Sequence, residues 1–343
     1  MEPVAPDRLR AANAAAAAYY AARLPHAPAA VRYLRRQGIE GAIGSWWQPG
    51  YAPKHWTALI DNLTRRGFTV AELIAAGLAH RAYNGRAVDY FRHRVVFPIH
   101  DMACDVVGFT GRDLSGRPAA PKYLNTPTTA VYQKSAALFG LGRQLALRDP
   151  DDIRAVRVVV VEGPTDAIAV HRMLHEGRPE LVIPVALCGT MLTPEHLALL
   201  GEWLPEHPPL SVVLDGDAAG RQAFERWVPL LRTWPGIVEA AALPDQADPA
   251  SLLAGHGPAA ASRIMLGRLR PLPVARLEHI LDRLDPATLD LREPETRVRV
   301  WRAITPCFRD APDLGEELGA RASVRLRLPL HEVMAGVVRE IAA

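Results

Sequence analysis

Short runs of branched apolar residues alternate with helical patterns through the middle of the chain. A run as apolar as 158–161 is typical of a strand buried on both faces, and such strands belong to parallel sheets covered by helices. The pattern predicts four parallel strands with helices between them, a unit of about 100 residues. In order, these elements are strand Val156–Val161, helix 166–174, strand Leu181–Leu187, helix 194–204, strand Ser211–Leu214, helix 218–231 and strand Ile237–Leu243.

The parts of the chain on either side have different patterns. Residues 3–40 and 54–76 favour helices, Phe91–Ile99 and Asp105–Thr110 favour two strands, and the last eighty residues favour helices broken by prolines. A boundary is expected near Asp149–Arg154, where polar residues interrupt the pattern. We therefore predict three units: a basic α+β unit at 1–150, a parallel-sheet unit at 151–262 and a helical unit at 263–343.

Three carboxylates follow directly on the predicted parallel strands. Glu162 ends the first strand, and Asp215 and Asp217 end the third. Ligands of such sheets gather outside the carboxyl ends of the strands, and nearby Gly163, Gly216 and Gly220 let the backbone come close. Carboxylate oxygens at one rim suggest a hard divalent cation. An acidic turn without a ligand is the alternative.

Charge and composition narrow the class of protein. The chain has a net charge of +3, but residues 1–135 hold 17 Lys and Arg against 9 Asp and Glu. This surplus of positive charge is compatible with a basic surface that binds a chain of phosphates next to a metal site. A basic surface that faces only solvent explains it equally well. Only three lysines occur, and two of them, Lys122 and Lys134, lie close together. The lysine side chain carries a compact charge on a flexible stem, whereas the arginine side chain is a planar fork. The use of lysine at these two positions, in a chain that otherwise uses arginine, is therefore a hint that they have a specific role.

Other classes are disfavoured. No apolar run approaches the roughly 18 residues of a membrane span, and the N-terminus lacks a basic region followed by an apolar one. The expected location is cytoplasmic, without a membrane partner. Cys104, Cys188 and Cys307 form no CxxC pair, which argues against a disulfide framework or a cysteine-rich zinc site. The sequence contains no Gly-Lys pair, which excludes a P-loop motor in these residues.

The motifs resemble a known family when they are taken together. EGPTD at 162–166 followed by DGDAAG at 215–220 resembles the Toprim signature. Upstream, RHRVVFPIHD, VVGFTGR, KYLNTP and Lys134 resemble, in order, the catalytic core of the bacterial replicative (DnaG-type) primase. The earlier YLRRQGI and GYAP match as well, so the resemblance covers roughly residues 10 to 310. It implies an α/β fold with a Toprim-type parallel sheet, preceded by a mixed α+β subdomain and followed by helices.

The resemblance also implies a reaction. Such a core makes short RNA primers on single-stranded DNA from ribonucleoside triphosphates by metal-dependent nucleotidyl transfer. Asp215 and Asp217 are expected to anchor Mg²⁺ or Mn²⁺, with Asp248 and Asp245 as further residues that contribute a ligand or orient water. Glu162 would be a further ligand or the base near the primer hydroxyl. Asp166 fits a position beside the ligands, although the N-cap of the helix that follows explains Asp166 (or Thr165) equally well.

Basic residues of the front half complete the expected site. Lys122, Tyr123 and Lys134, with Arg112 beside them, resemble the family's basic ridge facing the metal site. Their expected role is to hold template or nucleotide phosphates, and a solvated basic loop is the alternative. Asn125 would make polar contacts in the same segment, although its context suits a turn equally well.

Three departures from the family pattern leave the function open. The family's zinc-binding module has no counterpart in these residues, Trp46 stands where arginine is common, and Asp248-Pro249-Ala250 keeps one carboxylate of an expected Asp-Pro-Asp. A replicative helicase or separate DNA-binding subunit would then be needed as a partner, and a mobile genetic element is a conceivable source. A Toprim nuclease and a non-catalytic adaptor that binds single-stranded DNA are the competing hypotheses.

Overall fold

The computed structural model describes residues 4–149, 155–174, 180–189, 191–204 and 206–343. In these residues, helices surround two main β-sheets, and a third sheet is a two-stranded hairpin. The helices are α1 (Pro6–Arg23), α2 (Pro28–Arg36), α3 (Ala58–Arg65), α4 (Val70–Ala75), α5 (Leu141–Ala146), α6 (Pro164–Leu174), α7 (Pro194–Trp203), α8 (Ala218–Leu231), α9 (Pro249–Leu266), α10 (Leu272–Leu284), α11 (Pro294–Asp310), α12 (Gly315–Leu326) and α13 (Leu330–Ala342). The strands are β1 (Gly50–Ala52), β2 (Ala79–Arg81), β3 (Ala87–Asp89), β4 (Arg94–His100), β5 (Val106–Asp113), β6 (Tyr123–Asn125), β7 (Val156–Val161), β8 (Leu181–Ala186), β9 (Leu210–Leu214), β10 (Val238–Ala242) and β11 (Arg270–Pro271).

The parallel sheet has the strand order β11-β10-β9-β7-β8. Strands β10, β9, β7 and β8 are parallel, and the short β11 pairs antiparallel at the edge. The four predicted parallel strands are confirmed with ends shifted by at most one residue. Because β7 and β9 are neighbours, their carboxyl ends meet at the same edge of the sheet.

The structure of strand β7 shows why the run 158–161 is apolar at every position. Val159 and Val161 pack on the face covered by α6 and α9, whereas Val158 and Val160 pack on the face covered by α7 and α8. Successive side chains of a strand point to opposite faces, so a strand covered on both faces needs apolar residues throughout.

The antiparallel sheet has the order β1-β4-β5-β6 and belongs to the N-terminal part. The predicted strands at 91–99 and 105–110 are confirmed as β4 and β5, with later starts and ends. The pattern does not predict β6 or the β2–β3 hairpin, because three residues are too few to show a period. On β4, Val95 and Phe97 face the parallel sheet's layer and Val96 faces α1, α3 and α4.

One hydrophobic core, which we call the shared core, joins the two sheets. It contains Phe97 and Trp47 from the N-terminal part together with Val161 and residues of α6 and α9. The backbones also pair directly, since the amide of Phe139 donates to the carbonyl of Ala186 at 2.9 Å and the reverse bond is 3.1 Å. The sheets are therefore fixed relative to each other by packing as well as by the chain.

The C-terminal helices α10 to α13 surround a core of their own, which includes Val274, Trp301, Ile304 and Val333. This confirms the predicted helical character of the end of the chain. Helix α9 was not predicted. It carries a kink at Gly257, whose φ of 72° suits glycine.

The predicted boundary between the first two units falls at residues 150–154, which lie outside the described residues. The division into 1–150, 151–262 and 263–343 stays a prediction. Among the described residues, no helix is long and apolar enough to span a membrane.

Candidate active site

Four carboxylates converge where the parallel strands end. Glu162 follows β7 directly, Asp215 and Asp217 follow β9, and Asp248 precedes α9. Close backbone approach makes this possible, since a Cβ on Gly216 would lie 1.8 Å from the carbonyl oxygen of Pro244. A side chain at 216 would push apart the two loops that carry the aspartates.

Two of the carboxylates are also helix N-caps. Asp217 accepts a hydrogen bond from the amide of Gly220 at 2.8 Å at the start of α8, and Asp248 accepts one from Ser251 at 2.6 Å at the start of α9. The positive ends of two helices therefore stabilise negative charge at the rim.

Asp166 is buried and lies within the first turn of α6, which begins at Pro164. The N-cap interpretation of Thr165 or Asp166 is therefore wrong, because the helix starts earlier than its apolar pattern. Asp166 accepts instead from the amide of Ala250 at 3.4 Å, so its carboxylate lies against the N-terminus of α9. Burial, together with the charges of Asp248 and Asp215, raises the pKa of Asp166 well above its ordinary value.

The carboxylates of the rim are partly buried and repel one another. Burial and the charges of Glu162 and Asp248 raise the pKa of Asp215 to about 7. Burial, followed by the charge of Asp217, also raises the pKa of Glu162. One oxygen of each, Oε1 of Glu162 and Oδ1 of Asp215, is buried without a hydrogen-bond partner. Buried polar atoms without partners are costly, and a cation between them would remove the cost.

The antiparallel sheet supplies the opposite wall. Arg112 is the last but one residue of β5, and Tyr123 and Asn125 lie on β6, which pairs with β5. The guanidinium of Arg112 lies 5.6 Å from the ring centre of Tyr33 and 5.4 Å from that of Tyr123. Two aromatic faces hold this cation in place, and no carboxylate of the described residues lies within ion-pair distance of it.

Direct hydrogen bonds tie this basic wall to the rim. The hydroxyls of Tyr123 and Thr165 are 3.1 Å apart, and the amide nitrogen of Asn125 donates to the carbonyl of Cys188 at 2.7 Å. Asn125 thus contacts the backbone after β8 and not its own segment, and its role towards a nucleotide stays a prediction. Burial raises the pKa of Tyr123 well above its ordinary value, so its hydroxyl is a neutral donor or acceptor.

Lys134 reaches the cavity past a glycine. A Cβ on Gly189 would lie 2.8 Å from Nζ of Lys134 and 2.7 Å from its Cε. Lys134 and Lys122 are exposed. Among the described residues neither lysine has a carboxylate within ion-pair distance. The charge of Lys122 nevertheless acts on Glu162, Asp166 and Asp215, where it opposes the rise in their pKa.

The predicted site residues line one cavity of about 530 Å³ between the two walls. They are Arg112, Lys122, Tyr123, Asn125, Lys134, Glu162, Asp166, Asp215, Asp217 and Asp248. Asp245, which lies on an exposed turn, is not among the lining residues. Within the described ranges, no three carboxylate, His or Cys side chains are already grouped as a metal site. The partnerless oxygens fit a hard cation, but a metal would have to draw the carboxylates together.

Sequence reasoning missed part of the lining. Tyr33, Gln37 and Thr165 also face the cavity. Tyr33 lies on α2 and its pattern indicates only a buried helical position. Trp46 stacks on the buried Trp47 at 4.0 Å, and Trp47 stacks on Phe139 at 5.4 Å, so these aromatics fill the shared core instead of facing a ligand.

A second cavity of about 570 Å³ lies in the N-terminal part. Lys54, Arg92 and Arg117 line it together with Trp56, whose surface is 61% exposed. The guanidinium of Arg92 lies 4.4 Å from the ring centre of Trp56. The surplus of basic residues in the first 135 positions is thus concentrated, in part, around an exposed aromatic ring.

Comparisons with known proteins identify the family to which the chain is similar. The family model for the DNA primase catalytic core, N-terminal domain, matches residues 19–145, and the Toprim-like model matches residues 159–253. The RNA polymerase domain of Mycobacterium tuberculosis primase DnaG, solved with double-stranded DNA, superposes with a TM-score of 0.73 at 32% identity. That match covers 95% of this chain and 99% of the other. The chain belongs to the DnaG-type primase family.

Two further comparisons define how far the relation to the primases extends. A DnaG primase catalytic domain solved with single-stranded DNA matches with a TM-score of 0.68 and 28% identity, over 94% of this chain and 96% of the other. The DNA primase of M. tuberculosis is 37% identical over 314 residues, which are 90% of this chain and 46% of that protein. The chain thus spans about half the length of the curated primases it matches.

Proposed function

We propose that this chain is the RNA-synthesising core of a DNA primase, which makes short primers on single-stranded DNA from ribonucleoside triphosphates. One observation carries the proposal: the carboxylates and the basic side chains expected for this reaction form opposite walls of a single cavity. The similarity to a solved domain described as an RNA polymerase domain supports it.

In the proposed reaction, the 3′-oxygen of the primer attacks the α-phosphate of the incoming nucleotide and the bond to the β-phosphate oxygen breaks. The carboxylates of Glu162, Asp215, Asp217 and Asp248 would hold Mg²⁺ or Mn²⁺. Such a cation lowers the pKa of an attacking hydroxyl and stabilises charge on the departing phosphate. Glu162, whose pKa is raised by burial, is placed to accept the hydroxyl proton or to serve as a further ligand.

The basic wall would bind the phosphates. Lys122 and Lys134 line the cavity without a carboxylate at ion-pair distance among the described residues, and Arg112 is held by Tyr33 and Tyr123. A guanidinium that is already oriented loses little freedom when it binds a phosphate, so it positions the nucleotide at low entropic cost. Asp166 would act through α9, by fixing the helix whose N-cap is Asp248.

The template would pass through the second, basic cavity. An exposed Trp56 beside Arg92 and Lys54 offers a ring for base stacking and cations for the backbone, the combination that binds single strands without sequence preference. A related catalytic domain has been solved with single-stranded DNA. Delivery of the template by a replicative helicase or a separate DNA-binding subunit is part of the proposal.

The decisive test is primer synthesis on single-stranded DNA with labelled ribonucleotides and Mg²⁺ or Mn²⁺, in which wild type is compared with Asp217→Ala. Short products from wild type alone are the expected result. Because Asp217 is also an N-cap, thermal unfolding of the variant must be checked in parallel, and Asp217→Asn, which can retain the cap, serves as the second variant.

Other outcomes would overturn the proposal in different ways. Cleaved template that depends on Asp217 would indicate a Toprim nuclease. If neither protein makes a product although DNA binds, and an added helicase does not restore synthesis, the non-catalytic adaptor is the better hypothesis. Synthesis by a folded Asp217→Ala protein would refute the carboxylate assignment.

A further inference from the structure

A third cavity, of about 190 Å³, lies behind the carboxylate rim. It is enclosed by β9, β10, α8 and α10, and its lining includes Leu214, Phe224 and Ala240, which pack on the α7/α8 face of the parallel sheet. Among the described residues, Asp215 alone lines both this cavity and the one between the two walls. Asp215, the first residue after β9, therefore lies between the central cavity and this rear cavity.

Three arginines face this rear cavity, namely Arg221, Arg268 and Arg270. Within the part of the chain that the structure describes, none of them has a carboxylate within ion-pair distance. Each of these arginines donates side-chain hydrogen bonds through Nη1, and the acceptors are backbone carbonyls. Arg221 donates to Gly216 at 3.4 Å and Arg268 donates to Ala242 at 3.5 Å. Arg270 donates to two carbonyls of its own segment. A guanidinium has five N–H donors, so most donors of this trio remain available.

Two of the three acids that line the same cavity are already engaged. Glu278 pairs with Arg321, and Asp282 pairs with Arg325, both arginines coming from α12. Asp215, the third acid, has no arginine within ion-pair distance among the described residues, so it does not neutralise the trio. Beside them, Glu225 accepts from His279 and from Arg283. Because the arginine trio has no carboxylate partner among the described residues, an anion from outside the chain would supply the counter-charge.

We propose that the arginine trio is a subsite for an inorganic polyphosphate, with pyrophosphate as its ligand. This inference rests on the proposed function, because nucleotidyl transfer releases one pyrophosphate for each bond formed. The arginines offer several forked donors to a phosphate, which is the geometry that guanidinium groups recognise best. The small, partly apolar cavity suits a compact ion better than a nucleic acid strand, which needs a continuous groove.

Direct binding tests this proposal without any need for synthesis. The full chain is titrated with inorganic pyrophosphate in a calorimeter, in metal-free buffer. The dissociation constant of wild type is compared with that of the double variant Arg268→Ala/Arg270→Ala. The dissociation constant should rise at least about tenfold in that double variant, which loses two charge-assisted contacts. The control, Arg299→Ala/Arg339→Ala, removes two exposed arginines that have no ion pair among the described residues, and it should bind as wild type does.

Several results would overturn the inference. Pyrophosphate binding that is lost in Lys122→Ala but kept in the arginine double variant would place the ion in the cavity between the two walls. Absence of pyrophosphate binding to wild type would remove the subsite altogether. A fall in affinity for a labelled oligonucleotide, with pyrophosphate affinity unchanged, would assign the arginines to the DNA backbone.

The test also holds if folding or synthesis fails. Should the double variant not fold, the single change Arg268→Glu, at an exposed position, must weaken pyrophosphate binding by at least the same factor. A chain that makes no primers but binds pyrophosphate through the trio would refute the proposed function and keep the subsite. A chain that makes primers but does not bind pyrophosphate through the trio would keep the proposed function and refute the subsite.

Discussion

The two sheets contribute to the central cavity in opposite ways. The parallel sheet presents carboxylates that are partly buried, fixed as helix N-caps and repelled by one another. The antiparallel sheet presents cations that are exposed or held only by aromatic faces. Backbone geometry therefore fixes where the acids lie, whereas the bases keep freedom to follow a ligand. This difference predicts that changes on the acidic side will alter both folding and chemistry, and changes on the basic side mainly chemistry.

The largest expected effect comes from Asp215→Asn. Loss of one carboxylate should lower primer synthesis by roughly 10³-fold or more, since charge stabilisation by a bound metal contributes several kcal/mol. The same change should increase the free energy of unfolding, measured by denaturant titration in metal-free buffer, because it relieves repulsion from Glu162 and Asp248.

The matched control for that change is Asp310→Asn, which neutralises an aspartate paired with Arg232 and Arg276 away from the cavity. It should lower the free energy of unfolding and leave synthesis as in wild type. If Asp215→Asn destabilises the protein as much as the control does, the acidic rim is not strained and the contrast between the walls fails.

A smaller loss is expected when the path of Lys134 is blocked. Gly189→Ala places a Cβ 2.8 Å from the Lys134 ammonium nitrogen and should lower synthesis by about 10- to 100-fold, close to the effect of Lys134→Ala. Steady-state kinetics should show that the double variant is no worse than either single one. Gly201→Ala, where the nearest atom would be 3.6 Å away, is the control and should keep full activity.

The pH dependence of stability should report on the antiparallel sheet. His100 is buried on β4, and burial, together with the charge of Arg143, lowers its pKa to about 4 despite the opposing effect of Asp101. Because the unfolded chain protonates His100 near pH 6.5 and the folded chain does not, stability is lost as the pH falls. Between pH 7 and 5 this residue should account for about 2 kcal/mol of the decrease.

Denaturant titration at both pH values, with His100→Gln beside wild type, measures that contribution. The variant should show a decrease smaller by about 2 kcal/mol. An identical pH slope in both proteins would mean that His100 is not shielded in the folded state, and that the antiparallel sheet is looser than the packing of β4 indicates.

The smallest effect separates capping from chemistry at Asp248. Asp248→Ala removes the N-cap of α9 and should cost about 1 kcal/mol of stability, whereas Asp248→Asn can keep the cap. Because Asp248 is also proposed to hold the cation, primer synthesis should fall in both variants while only the alanine variant unfolds earlier. Synthesis by Asp248→Asn at the wild-type rate would mean that Asp248 serves only as a cap.

The sequence reveals the acidic wall more completely than the rest. Apolar runs that end in Glu162 and Asp215 place these residues at one sheet edge, because parallel strands put their carboxyl ends together. The basic wall depends on the resemblance, since Lys122 and Asn125 border a three-residue strand with no detectable period. Tyr33 and Trp56 carry no local signal at all, because their role comes from elements that meet only in the folded chain. Helix α9 escapes prediction because Pro249, Gly255, Gly257 and Pro258 interrupt its sequence pattern.

The shared core limits how this molecule can select a substrate. Both walls of the cavity rest on the same packed side chains, and the Phe139–Ala186 pairing clamps their backbones. Enzymes whose walls belong to separate bodies can reject a wrong nucleotide by failing to close around it. Here the gap between the walls is set when the chain folds. Substrates would therefore be discriminated by their size and charge in a cavity of fixed dimensions, and not by whether they induce a domain closure.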